Sequence, residues 1–421
     1  MHCLLAIFNA HDYTMQYVTH FSADIFSLLN SVIYFYKAIL ELKRNHDAVS
    51  FAAFLYSVIG AIGTCILAIF LSTATSWTPL FHRYVRLGLS EYAAAISIIL
   101  FIAIPQIGEL RSLDHDRLMV QPTLQPSSPE RTVFFVEFWK IPIEWVFISI
   151  IPGFIITVLF YFDHEISSII CTVERYGVQK KSGFAWDIAL LGMTTALCGI
   201  LGIPPANGLI PQAPLHSESL MHTVEEVEEV PATGLQDDDP TPRYRKVARV
   251  HEQRYSNMLQ SSLILIFITP PLQRLLGLTP TSVLAGLFLF MCYQSLSVNP
   301  ILVRIAQFLT PPSELPQLPS GVGWLGVHSF TITQIALTGI IFGLTLTVAA
   351  PAFPIVIIIL VPIRLLVMNQ IWKRETLSFI DGWACREGKP EDDADDGEIY
   401  DDEVALPRSQ TIWNSEVEEK H

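Results

Sequence analysis

Nine apolar runs recur along this chain, at residues 21–42, 51–71, 87–107, 145–173, 184–203, 258–278, 282–296, 330–348 and 353–368, and they decide which solvent it folds in. A helix needs about 20 apolar residues to cross the hydrocarbon of a bilayer, and only helices and closed barrels satisfy their own backbone there. With 51% hydrophobic and 16% charged residues, the composition excludes a soluble enzyme and specifies an all-α polytopic membrane protein. Several runs carry breakers, at Pro152-Gly153, Pro270-Pro271, Pro351 and Pro354, which membrane helices accept where neighbours satisfy the freed backbone groups. The stretch from Thr347 to Pro354 reads equally as an extended or re-entrant connection and as a helical hairpin turn.

The most informative interruption is residues 204–223, directly after the run 184–203. Pro204, Pro205, Gly208 and Pro211 forbid a continuous helix, and Pro214 suits the first position of a new short helix ending near Thr223. At about 1.5 Å per residue such a segment spans half a bilayer. Its N-terminal N–H groups and positive dipole end then lie near the midplane, where they can hold an anion. The plainer alternative is a Pro-rich loop at the membrane surface.

The net charge of −14 sits mostly in one tail: from Glu387 onward there are 13 acidic against 3 basic residues, which accounts for ten of the fourteen charges. A block such as Glu391 to Glu398 repels itself and is expected to be disordered. No basic stripe suits phosphate, which excludes nucleic acid as a partner. The clusters Arg83/Arg86, Arg175/Lys180/Lys181, Arg243 to Arg254 and Arg364/Lys373/Arg374 place their loops in the cytoplasm, residues 109–140 outside and the tail inside. Lys43 and Arg44 then fall outside, against the rule. Met1 to Ala10 has no basic region of the secretory type. The six cysteines, Cys3, Cys65, Cys171, Cys198, Cys292 and Cys385, are scattered and read as packing residues, with no metal or cofactor implied.

Ionisable residues inside apolar runs carry the most weight, because a charge there costs several kcal/mol unless it faces a cavity or a partner (about 2.5 kcal/mol or more). Asp163 follows Trp145 to Phe162 and precedes Ile166 to Val173, so a helix continuing through it places a carboxylate in the membrane with Ser167 one turn on, on the same face. That carboxylate can accept a substrate proton or titrate during transport. The alternative is a helix that ends at Phe162 and leaves Asp163, His164 and Glu165 wetted. Asp24 is ambiguous in the same way, Asp187 reads as an N-terminal dipole partner, and Gln212, His216 and Ser217 are candidate donors to an oxyanion.

These residues carry a resemblance. Asn207-Gly-Leu-Ile-Pro-Gln-Ala-Pro-Leu-His-Ser-Glu-Ser-Leu220 resembles the half-helix motif of the bicarbonate transporter and anion-exchanger family, in its borate-exporting yeast and plant branch. Phe21-Ser-Ala-Asp-Ile-Phe26 with Ile33-Tyr-Phe-Tyr-Lys37, Phe162-Asp-His-Glu-Ile-Ser-Ser168, Glu252-Gln-Arg-Tyr-Ser256 and Glu375-Thr-Leu-Ser-Phe-Ile-Asp381 resemble the family in order and spacing. The resemblance implies two inverted repeats of seven spans, a core moving against a gate, and a homodimer held through the gate. It makes Asp163 the acidic residue beside the anion and the possible ion-coupling group. Gln212 stands where chloride-bicarbonate exchangers carry an arginine, which argues against simple chloride exchange. The substrate-binding set it implies is Asp163, Gln212, Ala213, Leu215, His216 and Ser217.

Against that pattern the family's first four spans have no counterpart here, so the expectation is a partial seven-plus-seven fold from a truncated gene model, with a natural short form as the alternative. The expected division is a loop at 1–20, first-repeat gate spans at 21–108, an extracellular loop at 109–142 and second-repeat core spans at 143–280. Within the core spans a half-helix is expected near 213–223 and an acidic cytoplasmic loop at 224–250. Gate spans at 281–374 and an acidic tail at 375–421 complete it. The expected function is secondary transport of a small inorganic anion, borate efflux first, with bicarbonate or another anion as the alternative. A non-transporting membrane partner of a full-length relative is the reading from a different class. The plasma membrane is the expected location and the vacuolar membrane the alternative.

Overall fold

The structure, a computed structural model, describes residues 1–381 apart from 15–18, 122, 124, 127–130, 132, 172–175, 181–182, 209–211, 229–242, 298, 312 and 351–352. The acidic tail from Glu387, the triplet 237–239 and the breaker Pro351 lie outside the described residues. The chain opens with α1 (His2–Ile7), α2 (Ala10–Thr14), α3 (His20–Ala48), α4 (Phe51–Ser72), α5 (Arg83–Glu91) and α6 (Ala93–Ala103). It continues with α7 (Ile143–Ile148), α8 (Ile150–Ile170), α9 (Phe184–Leu201) and α10 (Gln212–Ser219), then the strands β1 (Met221–Glu228) and β2 (Arg243–Val250). The remainder is α11 (Tyr255–Ile266), α12 (Pro270–Leu276), α13 (Thr281–Ser297), α14 (Pro300–Leu309), α15 (Trp324–Thr345), α16 (Phe353–Pro362), α17 (Asn369–Ile371) and α18 (Arg374–Ile380). Among the described residues five helices are long and apolar enough to cross a membrane, or up to eight spans if the bent pairs α5/α6, α11/α12 and α13/α14 each count as one. The protein is thus an all-α polytopic membrane protein carrying one two-stranded β-ribbon.

Its contacts divide it into two compact units, one of residues 1–18 and 140–254, the other of residues 19–139 and 255–381.

The second unit shows why the apolar runs became membrane helices rather than a water-soluble bundle. Over most of α4 the buried residues are small, Ala53, Ser57, Gly60, Ala61, Thr64 and Ala68, with Leu71 joining them only in the last turn, whereas Phe51, Leu55, Ile59, Ile62, Ile66 and Phe70 are exposed. Small residues face the protein and large apolar ones face outward, the inverse of a soluble helix and the arrangement that lets membrane helices approach closely. The buried hydroxyls donate to their own helix, Ser57 to the Ala53 carbonyl at 3.0 Å and Thr64 to the Gly60 carbonyl at 2.7 Å, so none competes for a distant partner. Against this face lies α13, where a Cβ on Gly286 would sit 2.6 Å from the Ala61 carbonyl oxygen. Across the other side of α13, Ser295 accepts from Ser31 of α3 at 2.8 Å.

Charges inside this unit are closed off in pairs. Asp24 of α3 accepts from Arg304 of α14 at 3.0 Å, and the same guanidinium donates to Gln334 of α15 at 2.8 Å. Asp24, left open by the sequence, is therefore a structural ion-pair partner that ties α3 to α14. Asp381 accepts from Arg364 Nε at 2.5 Å, with both side chains fully buried. Arg364 stands in the π-helical turn Ile363–Met368 that follows Pro362, where a missing N–H loosens the regular ladder. Residues 375–381, expected at the start of the tail, are instead α18 and its buried end, because this ion pair fixes them. The expected extracellular loop is also partly anchored: Asp116 accepts from the Thr281 hydroxyl at 2.9 Å, and Leu118 N–H donates to the Thr279 carbonyl at 2.9 Å.

In the first unit the expected loop at 1–20 contains two short helices. Cys3 and His2 pack at Gly192 of α9, and Thr14 shares a 2.6 Å hydrogen bond with Tyr161 of α8. Tertiary contact stabilises these turns, which are too short to persist alone. The expected acidic loop is a β-ribbon, β1 antiparallel to β2, with Glu225, Glu226 and Glu228 at positions paired with Lys246, Arg245 and Arg243. Opposite charges at paired positions favour that register.

Two outcomes follow for stability. Gly286→Val should lower the thermal midpoint of the detergent-solubilised protein, overpacking costing about 1–3 kcal/mol, while Gly88→Ala, with nothing within 4 Å of its added Cβ, should not lower it; equal effects would contradict the α4–α13 seam. Arg304→Met should cost about 3–5 kcal/mol by leaving Asp24 buried and unpaired, and the double change Asp24→Leu with Arg304→Met should cost less than that single one. Chemical denaturation of the three proteins decides between this and simple additivity.

Candidate functional site

The site lies wholly in the first unit and begins with the way α9 stops. Gly202 takes the left-handed conformation (φ 62°, ψ 37°), which glycine adopts without a Cβ penalty. Ile203 N–H donates back to the Cys198 carbonyl at 3.0 Å, and the chain leaves the helix as the non-helical stretch 203–208. Backbone that leaves a helix in a membrane-spanning protein needs partners from the protein wherever water is excluded.

Asn207 supplies them. Its side-chain amide donates to the Phe160 carbonyl of α8 at 2.9 Å and to Asp163 Oδ2 at 3.3 Å, while its own Oδ1 accepts from Gly208 N–H at 2.8 Å. One side chain thus fixes the broken segment to α8 and holds the Asp163 carboxylate. The helix α8 runs through Asp163 to Ile170, so the alternative of a helix ending at Phe162 does not hold. Asp163 is half-buried and Glu165 fully buried, and neither is a wetted helix end. Ser167, read as a polar neighbour on the same face, is buried and donates to the Asp163 and His164 carbonyls at 2.6 and 3.0 Å. Its hydroxyl is committed to its own helix rather than to the Asp163 carboxylate.

The short helix α10 spans Gln212–Ser219, about 12 Å at the usual rise. It begins two residues before the expected Pro214, which still falls in the first turn where a missing N–H costs nothing. It ends before the expected Thr223 because Met221 already pairs with Val250 in the β-ribbon. Gln212 is its first residue and exposed, Ala213 half-buried, His216 exposed and Ser217 half-buried. The backbone of Leu215 is helical and its side chain lies outside the described residues. Ser217 hydrogen-bonds Cys171 beyond the end of α8, a second tie between α10 and α8. The arrangement presents a carboxylate acceptor, an amide donor and a helix N-terminus from adjoining elements, the chemistry suited to a small oxyanion that also carries hydroxyl donors. Asn207 was legible only as part of a motif; a side-chain amide five residues beyond a helix-stopping glycine is the signal that points to it.

Residues 42–384 match the HCO3- transporter integral membrane domain. The chain is 33% identical over 371 residues to boron transporter 1 of Saccharomyces cerevisiae, an alignment covering 85% of this chain and 60% of that protein. It is 25% identical over 470 residues to boron transporter 4 of Arabidopsis thaliana, covering 90% of this chain and 68% of that one. It is 29% identical over 344 residues to electrogenic sodium bicarbonate cotransporter 4 of Mus musculus, covering 78% and 29%. The chain spans 60% of the length of the Saccharomyces relative.

The Asn207 clamp makes a prediction of its own. Asn207→Ala should speed amide hydrogen exchange across 203–208 while leaving α8 protected, since it removes the two bonds to α8 and the local bond to Gly208. Unchanged exchange in that segment would contradict the clamp.

Proposed function

Because this chain belongs to the HCO3- transporter family by its integral membrane domain, we propose that it is a secondary transporter of a small inorganic anion, with borate as substrate and efflux as direction. The observation that carries the proposal is the Asn207 bridge, which places the Asp163 carboxylate beside the broken segment leading into α10. Boric acid is largely neutral near cytosolic pH, and tetrahedral borate needs both a positive pole and acceptors for its hydroxyls. The N-terminus of α10 supplies the pole, Asp163 accepts from the hydroxyls, and Gln212 with its amide both donates and accepts. Ala213 and Leu215 contribute backbone, and His216 and Ser217 extend the polar lining. The relatives named as boron transporters support borate over bicarbonate, as does a neutral glutamine at Gln212.

In this reading the unit of residues 1–18 and 140–254 carries the anion, the other unit serves as scaffold and as the interface of a homodimer, and transport proceeds by alternating access in the plasma membrane. The closed ion pairs Asp24–Arg304 and Arg364–Asp381 suit a rigid scaffold.

The test is boron efflux from cells or proteoliposomes containing the protein. Asp163→Asn should abolish or uncouple efflux while leaving membrane insertion intact, since one polar atom changes and volume is kept. Gln212→Leu should reduce efflux by about tenfold or more, the equivalent of ~1.4 kcal/mol of lost binding, whereas substitutions in the β-ribbon should leave it unchanged. Normal boron tolerance in cells carrying Asp163→Asn, or bicarbonate flux without boron flux, would overturn the borate reading.

A further inference from the structure

One buried polar pair in the first unit has no part in the site above. Glu165 lies on α8 two residues beyond Asp163, roughly 200° round the helix, and its Oε2 pairs with Nδ1 of His11 on α2. Glu165 is fully buried, and its second oxygen, Oε1, is buried without a hydrogen-bond partner. The His11 ring lies flat on Phe184 of α9, with centroids 3.8 Å apart and planes inclined by 19°. The other titratable groups on the packed elements are Asp12 of α2, His2 of α1, Asp163 and His164 of α8 and Asp187 in the first turn of α9. His2 Nε2 and His164 Nε2 are likewise buried without partners. This is a concentration of proton-exchanging groups that packing alone does not require.

As imidazolium with carboxylate, or as imidazole with carboxylic acid, the His11–Glu165 pair holds one proton and no net charge, the state a low-dielectric interior accepts. A second proton leaves the pair with one positive charge. An anion beside Asp163, on the same helix, offsets that charge, so the two events favour each other. We infer that His11–Glu165 is a proton-binding site coupled to the anion site: as the anion enters, a proton from solvent adds to Glu165 Oε1, forming a carboxylic acid beside an imidazolium. The inference rests on the transport reading above and assigns it a proton-coupling group distinct from Asp163.

The test is anion-induced infrared difference spectroscopy on the full chain in lipid, with borate as the probe at fixed, well-buffered pH, run beside boron flux as a function of pH. In the wild type a carboxylic-acid carbonyl band should grow on adding borate, and flux should depend on pH. Glu165→Gln should lose that band and the pH dependence of flux. His11→Asn, at a less buried position, should weaken both and serves as the second variant should Glu165→Gln fail to fold. Boron flux in the wild type with no band removed by Glu165→Gln and no change in the pH profile overturns the proton site alone. Absence of boron flux in the wild type overturns the transport reading, and this inference with it.

Discussion

In hydrocarbon every backbone donor and acceptor must be satisfied inside the protein, and this constraint organises both units. A related constraint sends the hydroxyls of Ser57 and Thr64 back to their own helix, while close packing places small residues along the α4–α13 seam. The backbone constraint explains the site as well. Once Gly202 ends α9, the stretch 203–208 has no ladder of its own, and the Asn207 amide ties it to α8. The side chain that accepts from Gly208 N–H through Oδ1 also donates to Asp163 through its amide, so one residue both satisfies part of the broken chain and positions the candidate site.

Buried charge is treated differently in the two units. Asp24 and Asp381 are each closed by an arginine, and such pairs specify geometry while leaving no charge for a ligand. Asp163 is held by a neutral amide and Glu165 by a histidine. Neither group is therefore closed by the fixed positive charge that an arginine would supply. The division of labour proposed here, scaffold against carrier, follows from which partner each carboxylate received.

Much of this was legible before the structure. Period-free apolar runs gave the membrane helices, and Pro204, Pro205, Gly208 and Pro211 located the break and the short helix after it. What sequence could not supply was tertiary. A loop at 1–20 is what the family resemblance implies, and the packing of this segment on α8 and α9 stabilises its two short helices. The acidic insert reads as a loop because its strand partner, Arg243 to Val250, lies 15 or more residues further along the chain and no local turn pattern joins the two. The end of α10 moved for the same reason, since strand pairing from Met221 competes with another helical turn. The pairing of Glu165 was not legible at all, since its partner is 154 positions away in the chain, beyond any local pattern.

In the proposed site the anion sits beside Asp163, whose carboxylate Asn207 holds in place. Boron NMR of borate titrated with the purified protein tests it most directly. The account predicts line broadening of borate by the wild type that is lost in both Asp163→Asn and Asn207→Ala, with each variant still folded. Broadening that persists undiminished in both would contradict it and place the anion elsewhere.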